Sequence, residues 1–192
     1  MQIIEEKYTW RGNLGTRPKT DYIVLHHAAA SVCTVQDVHK WHLANGWAGI
    51  GYHYFVAKDG TVYRGRPAHV VGAHVYGYNH LSLGICAEGN FEQEQILPVQ
   101  LQSLVKLVDF LRGVYPAAKV VGHRDLTATA CPGKNFPLEG IQMEERVRVI
   151  VKGREVPGKM INDTTWVPLR EVIEALAYQV AWDEIAKIAK VE

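Results

Sequence analysis

His123 and Cys131 stand eight positions apart in the stretch GHRDLTATACPG, where Thr, Asp, Pro and Gly are too frequent for a settled helix. Alone, a cysteine reads as a small buried hydrophobe and a histidine as a packed or hydrogen-bonded side chain. Together they supply two of the three protein ligands that a catalytic zinc takes, with water in the fourth position. The third must be another His, Cys or carboxylate. The pair His26-His27, closing the apolar run YIVLHH, is the natural supplier. Neighbouring strand residues point to opposite faces, so one of the two faces the site and the other packs elsewhere. Alternation itself leaves open which one.

The elements that must position these residues are visible along the chain. YIVLHH, from Tyr22 to His27, reads as a strand. Thr34-Val-Gln-Asp37 has the spacing of a capping box and opens a helix through Val38, Trp41 and His42. Lys58-Asp-Gly60 between two aromatic and β-branched runs signals a hairpin. LSLGICAEG reads as another strand, and PVQLQSLVKLVDFLRG as a helix with Pro98 near its start and leucines and valines at helical spacing. KVVGH adds a strand that delivers His123. Strands interleaved with helices give an α/β layer architecture.

The bulk properties exclude several functions. The 192 residues are 47% hydrophobic and 21% charged, enough for one ordinary domain and a small second one. A net charge of +1, with no Lys/Arg run longer than a pair, leaves no electrostatic footprint for nucleic acid or an anionic membrane. Three cysteines at irregular spacing argue against a disulfide framework and fit a reducing compartment. MQIIEEKYTW is acidic where a signal peptide is basic, and no run reaches the ~20 apolar residues of a membrane span. The expectation is synthesis in the cytoplasm without a signal peptide and no membrane insertion. No feature sets an oligomeric state.

The blocks IVLHHAAA, GYHYFV, DGTVYRGRPAHVVGAH, YNHLSLGICAEGNF and GHRDLTATACPG, in that order between Asp21 and Gly133, resemble the N-acetylmuramoyl-L-alanine amidases of the type that includes phage lysozyme-like amidases and peptidoglycan recognition proteins. The resemblance implies an α/β fold with a mixed central sheet flanked by helices, and a zinc-dependent hydrolase. Its substrate would be bacterial peptidoglycan, cut at the amide between the lactyl group of N-acetylmuramic acid and L-alanine. It also implies that the first histidine of the HH pair is the ligand, so that His26, His123 and Cys131 hold one Zn²⁺ per chain. Tyr52 of the GYH block is implied beside the metal. Thr129, two residues before the cysteine, falls where phage-type enzymes carry a lysine; it donates a hydrogen bond but brings no positive charge.

Three further positions are expected to face substrate: His74 in VVGAH, Asn79 and Arg66. Glu88, a carboxylate in the apolar strand GICAEGNF, is a candidate general base, because burial favours a raised carboxyl pKa. A lytic, endolysin-type enzyme acting on the wall after the membrane is permeabilised is the leading reading. A non-catalytic recognition module sharing the fold is the alternative, and the presence of Cys131 favours the enzyme. A nucleophilic Cys131 with a merely structural metal is a third.

Composition shifts near residues 137–144. We expect residues 1–140 to form the catalytic domain and residues 145–192 a small α+β module of order β-β-α-β-β, its helix started by Pro168. The strand-turn-strand, then TTWVPLREVIEAL, then VAWD resemble the small module first named from the N-terminal domain of copper amine oxidases, which implies a cell-wall targeting role. No histidine follows His123, so copper is not expected.

Overall fold

The computed structural model describes residues 2–142, 146–161, 164–166, 169–177, 180–183 and 188–191. The chain divides into two compact units, Met1–Gln142 and Met143–Glu192.

In the first unit, five strands form a mixed sheet: β1 (Tyr22–His27), β2 (Tyr54–Val56), β3 (Val62–Arg64), β4 (Ser82–Ala87) and β5 (Lys119–Gly122), in spatial order β3-β2-β4-β1-β5. β1 runs parallel to both β4 and β5, and β2 runs parallel to β4; only the β2–β3 hairpin is antiparallel. The hairpin closes at Lys58-Asp59-Gly60, where Gly60 adopts φ 85° and donates to the Ala57 carbonyl at 2.9 Å. Strands buried on both faces read as near-continuous apolar runs, as YIVL and SLGICA do.

Helices cover both faces. α2 (Pro98–Val114) lays Leu104, Leu107, Val108 and Leu111 against Ile23, Leu25, Leu83 and Ile85. The fully buried Gln100 on this helix donates to the Val56 and Glu88 carbonyls, at 3.1 and 2.8 Å, and so pins the helix to the ends of β2 and β4. α1 (Val35–Ala44) covers the other face through Val35 and Val38, packed with Ile50, Phe55 and Cys86. Its capping box is complete, with Thr34 N to Asp37 Oδ2 at 3.0 Å and Asp37 N to Thr34 Oγ1 at 3.1 Å. A short α3 (Leu138–Gln142) follows the cysteine loop and packs on β5.

In the second unit, β6 (Arg146–Val151), β7 (Arg154–Ile161) and β8 (Thr164–Trp166) make an antiparallel sheet, and β9 (Val180–Asp183) pairs with β10 (Ile188–Val191). α4 (Leu169–Ala175) contacts β7 and β9. The strand β8 is additional to the expected β-β-α-β-β order: Thr-Thr-Trp, β-branched and aromatic, pairs with β7 instead of leading into the helix. Pro168, the expected helix start, lies outside the described residues. No helix among the described residues is long and apolar enough to cross a membrane.

Candidate metal centre

The parallel register explains how distant residues converge. Leu25 of β1 pairs with Gly122, the last residue of β5, so the next residue on each strand lies at the same edge of the sheet. These are His26 and His123, with ring centroids 4.7 Å apart. His123 opens a single 3-10 turn (His123–Asp125), capped by Gly122 N donating to Asp125 Oδ2 at 2.8 Å. The chain then loops back. Arg124 holds the return, with its N donating to the Cys131 carbonyl at 2.9 Å and its guanidinium to the Gly133 carbonyl at 3.0 Å. Gly133, at φ 104°, has no room for a side chain: a Cβ there would lie 2.5 Å from the Phe91 main chain.

Cys131 Sγ thereby comes to 3.6 Å from His26 Nδ1. One ligand atom from each of His26, His123 and Cys131 lies within 4.8 Å of the other two. His27 turns to the opposite face, where its Nδ1 accepts from Phe91 N at 3.1 Å. Its main-chain N–H is hydrogen-bonded to the Cys131 thiol.

Charge is disfavoured throughout the cluster. Burial, then the neighbouring His123, holds His26 well below the ordinary histidine range, and burial also lowers His123. Burial pushes the Cys131 thiol up to about 11, opposed by the His27 N–H and by Arg124. Three neutral donor groups brought within 4.8 Å of one another form a set suited to a divalent ion. Imidazole and thiolate are the ligands zinc prefers, and a bound cation deprotonates a coordinating thiol.

The other expected residues fall into two groups. Tyr52 stands at the cluster, its ring 5.0 Å from that of His26, with its hydroxyl hydrogen-bonded to the Cys86 thiol. Burial, then Cys86 and Cys131, keeps that hydroxyl well above its ordinary pKa and therefore protonated. His74 also reaches the cluster, with Nδ1 3.0 Å from His26 Nε2. Thr129 Oγ1 accepts from Cys131 N at 3.2 Å.

The remaining three are engaged with main chain. Arg66 is buried and donates to the Ile50 and Val71 carbonyls at 2.6 and 2.7 Å. Asn79 Oδ1 accepts from both His74 N and Val75 N, at 2.7 and 2.9 Å. The Glu88 carboxylate, 8% exposed, accepts from Cys33 N at 3.1 Å and Lys58 N at 2.8 Å, tying the loop after β1 to the hairpin turn.

Sequence reasoning passed over three residues at the cluster. His42 accepts from Gly51 N at 2.8 Å and lies between Trp47 and Tyr52, with centroids 4.5 and 5.4 Å away, so an aromatic line runs from the exposed Trp47 to His26. Cys86 pairs beside His26 in the sheet. Ser82 is 3.4 Å from His74 Nε2. Only the recurrence of His and aromatic residues between 42 and 54 hinted at the first of these.

A mixed five-stranded sheet between helices, with such a cluster at the carboxyl edge of its central strands, defines the fold shared by peptidoglycan amidases and peptidoglycan recognition proteins. Residues 16–134 match the N-acetylmuramoyl-L-alanine amidase family, and the chain belongs to it. Among solved structures it is similar to the N-acetylmuramoyl-L-alanine amidase LysC from Clostridium intestinale URNW, at 42% identity and TM-score 0.71, covering 73% of this chain and 95% of that one. It is 35% identical to the endolysin of Klebsiella phage KP32 over 124 residues, 60% of this chain and 82% of the endolysin. It is also 32% identical to the peptidoglycan-recognition protein SC2 of Drosophila melanogaster over 150 residues, 69% of this chain and 82% of that protein.

Proposed function

We propose that the chain is a zinc-dependent hydrolase that cleaves the amide between the lactyl group of N-acetylmuramic acid and L-alanine in bacterial peptidoglycan. The observation that carries this reading is the convergence of His26, His123 and Cys131 ligand atoms within 4.8 Å, in a member of the amidase family. These three residues would hold the ion. When bound there, zinc supplies Lewis acidity and brings the pKa of a water to about 7.

The chain's own groups do the rest. Tyr52, kept protonated by burial, turns its one hydroxyl hydrogen from the Cys86 thiol to the carbonyl oxygen as that oxygen gains charge. Thr129 uses its oxygen to accept from Cys131 N, which leaves its hydroxyl hydrogen for the substrate. Neither brings a positive charge, so what these side chains give the oxyanion is hydrogen bonding from neutral donors. Arg66 and Asn79 shape the cleft by holding the main chain around Ile50, Val71 and His74. Hydrolysis gives hydroxyl to the lactyl carbonyl carbon and a proton to the leaving alanine nitrogen.

Similarity to phage endolysins supports a lytic role, with the protein made in the cytoplasm and reaching the wall once the membrane is breached. Residues 145–192, with their resemblance to a wall-associated module, would hold the enzyme on the wall. The test is digestion of purified peptidoglycan, scoring new L-alanine amino termini against new reducing sugar ends. New alanine termini that vanish with a chelator and return with zinc support the proposal. Binding without new termini moves the chain to the recognition reading that its similarity to recognition proteins also allows.

A further inference from the structure

The hydrogen bonds behind His26 end on a group that can only accept, and this fixes every proton in the chain. The Tyr78 carbonyl receives Ser82 Oγ at 2.7 Å, so the single Ser82 hydroxyl hydrogen is committed there. Ser82 Oγ can then only accept from His74 Nε2, 3.4 Å away, which places the His74 proton on Nε2. His74 Nδ1 is left as an acceptor, and the atom facing it at 3.0 Å is His26 Nε2, which must donate. The lone pair of His26 therefore sits on Nδ1, the nitrogen 3.6 Å from Cys131 Sγ.

The His74 ring is held in this pose from several sides. A Cβ on Gly84 would lie 2.6 Å from its Cγ, and one on Gly72 would lie 2.5 Å from its Cδ2, so glycine at both positions is what lets the ring in. Asn79 clamps the His74 main chain, and the His53 ring, itself fixed by Gly84 N and the Val70 carbonyl at 3.0 Å each, meets it edge-on at 5.6 Å.

We infer that His74 is a positioning residue: with Ser82 and the Tyr78 carbonyl behind it, it fixes the tautomer and ring orientation of His26, so that Nδ1 is offered to the metal before the metal arrives. This replaces the expected substrate contact of His74 and rests on the proposed metal role of His26. Partners of this kind behind a ligating histidine typically change metal affinity by about 10–100-fold when removed.

The experiment uses the full-length, metal-free protein labelled with ¹⁵N in its histidines, with long-range proton–nitrogen correlations to read each tautomer. His26 is expected with its proton on Nε2, and His74 likewise. His74→Ala should blur the His26 tautomer and weaken zinc in a chelator competition by about 10–100-fold. His74→Asn, which returns an acceptor oxygen near the lost Nδ1, should recover most of it.

A proton on His26 Nδ1 in the unsubstituted protein overturns the inference, as does a folded His74→Ala protein with unchanged zinc affinity and a raised KM alone. If His74→Ala does not fold, Ser82→Ala decides: loss of the single His74 tautomer supports the relay, and an unchanged spectrum refutes it. Should the unsubstituted chain take up no zinc at all, the hydrolase reading falls, while the metal-free spectra still judge the relay.

Discussion

Glu88 separates two accounts of one carboxylate, and Glu88→Gln decides between them. In the structure each carboxylate oxygen accepts one main-chain N–H, from Cys33 and from Lys58. Glutamine keeps one acceptor oxygen but turns an amide NH₂ toward the other donor, leaving that N–H unsatisfied. A hydrogen bond to a charged group contributes about 1.5–3 kcal/mol, and an orphaned buried donor costs a similar amount. For a folded unit of this size, 1 kcal/mol moves Tm by about 2–4 °C, so Glu88→Gln should lower the melting temperature by roughly 5–10 °C. Peptidoglycan hydrolysis at 25 °C, where the variant remains folded, should fall less than about fivefold. Removal of a general base would instead cost about 10²–10⁴-fold in rate. Circular-dichroism melting alongside the alanine-terminus assay reads both quantities. An unchanged melt with a hundredfold loss of rate would refute the clasp and restore Glu88 as the base.

Four other outcomes are expected. Cys131→Ser should lose zinc in elemental analysis together with hydrolysis, whereas a protein that works metal-free through its thiol would keep full rate in chelator. Tyr52→Phe should keep its zinc and lose about 10²-fold in turnover, as removal of a single oxyanion donor does; full turnover would exclude the phenol from the reaction. Gly51→Ala would set a Cβ 1.9 Å from the Ala73 carbonyl oxygen, main chain against main chain, so it should destabilise by more than about 3 kcal/mol in urea unfolding, and a near-native midpoint would contradict that packing. Burial depresses His53 from 6.5 to about 3, so the unfolded state binds more protons across that interval and stability falls as pH drops through it. For the metal-free protein this amounts to about 2 kcal/mol between pH 7 and pH 5 from His53 alone, and a flat urea midpoint across that range would contradict a neutral buried ring.

What the sequence made legible was local or periodic. The Thr34–Asp37 cap, the Lys58–Gly60 turn and the leucine spacing of α2 are each specified within a few residues, and the structure has all three. The ordered blocks carried the fold. Contacts set by register were not legible: Ser82 reaches His74 only because β4 starts where the loop from Val75 to Tyr78 turns back. The partners of Glu88 were hidden for a related reason. They are main-chain N–H groups, which every residue but proline possesses, so no pattern of side chains announces them. The N-terminal segment, bridged to β3 at Ile4–Tyr63 and to the loop after β3 at Thr16–Val70, has no periodicity to read, and α3 is too short to show one.

The position of β1 between β4 and β5 has a consequence for how the protein comes into being. His26 emerges from the ribosome about a hundred residues before Cys131, and β5, which leads into His123, is the last strand of the five-stranded sheet to be made. A nascent or prematurely terminated chain that stops short of Cys131 lacks a ligand, however well its earlier strands associate. Pairings so distant in sequence also form slowly. Under the metal-site reading, the donor set is complete only late, in chains whose central sheet has closed, and a truncated translation product carries the early strands without it.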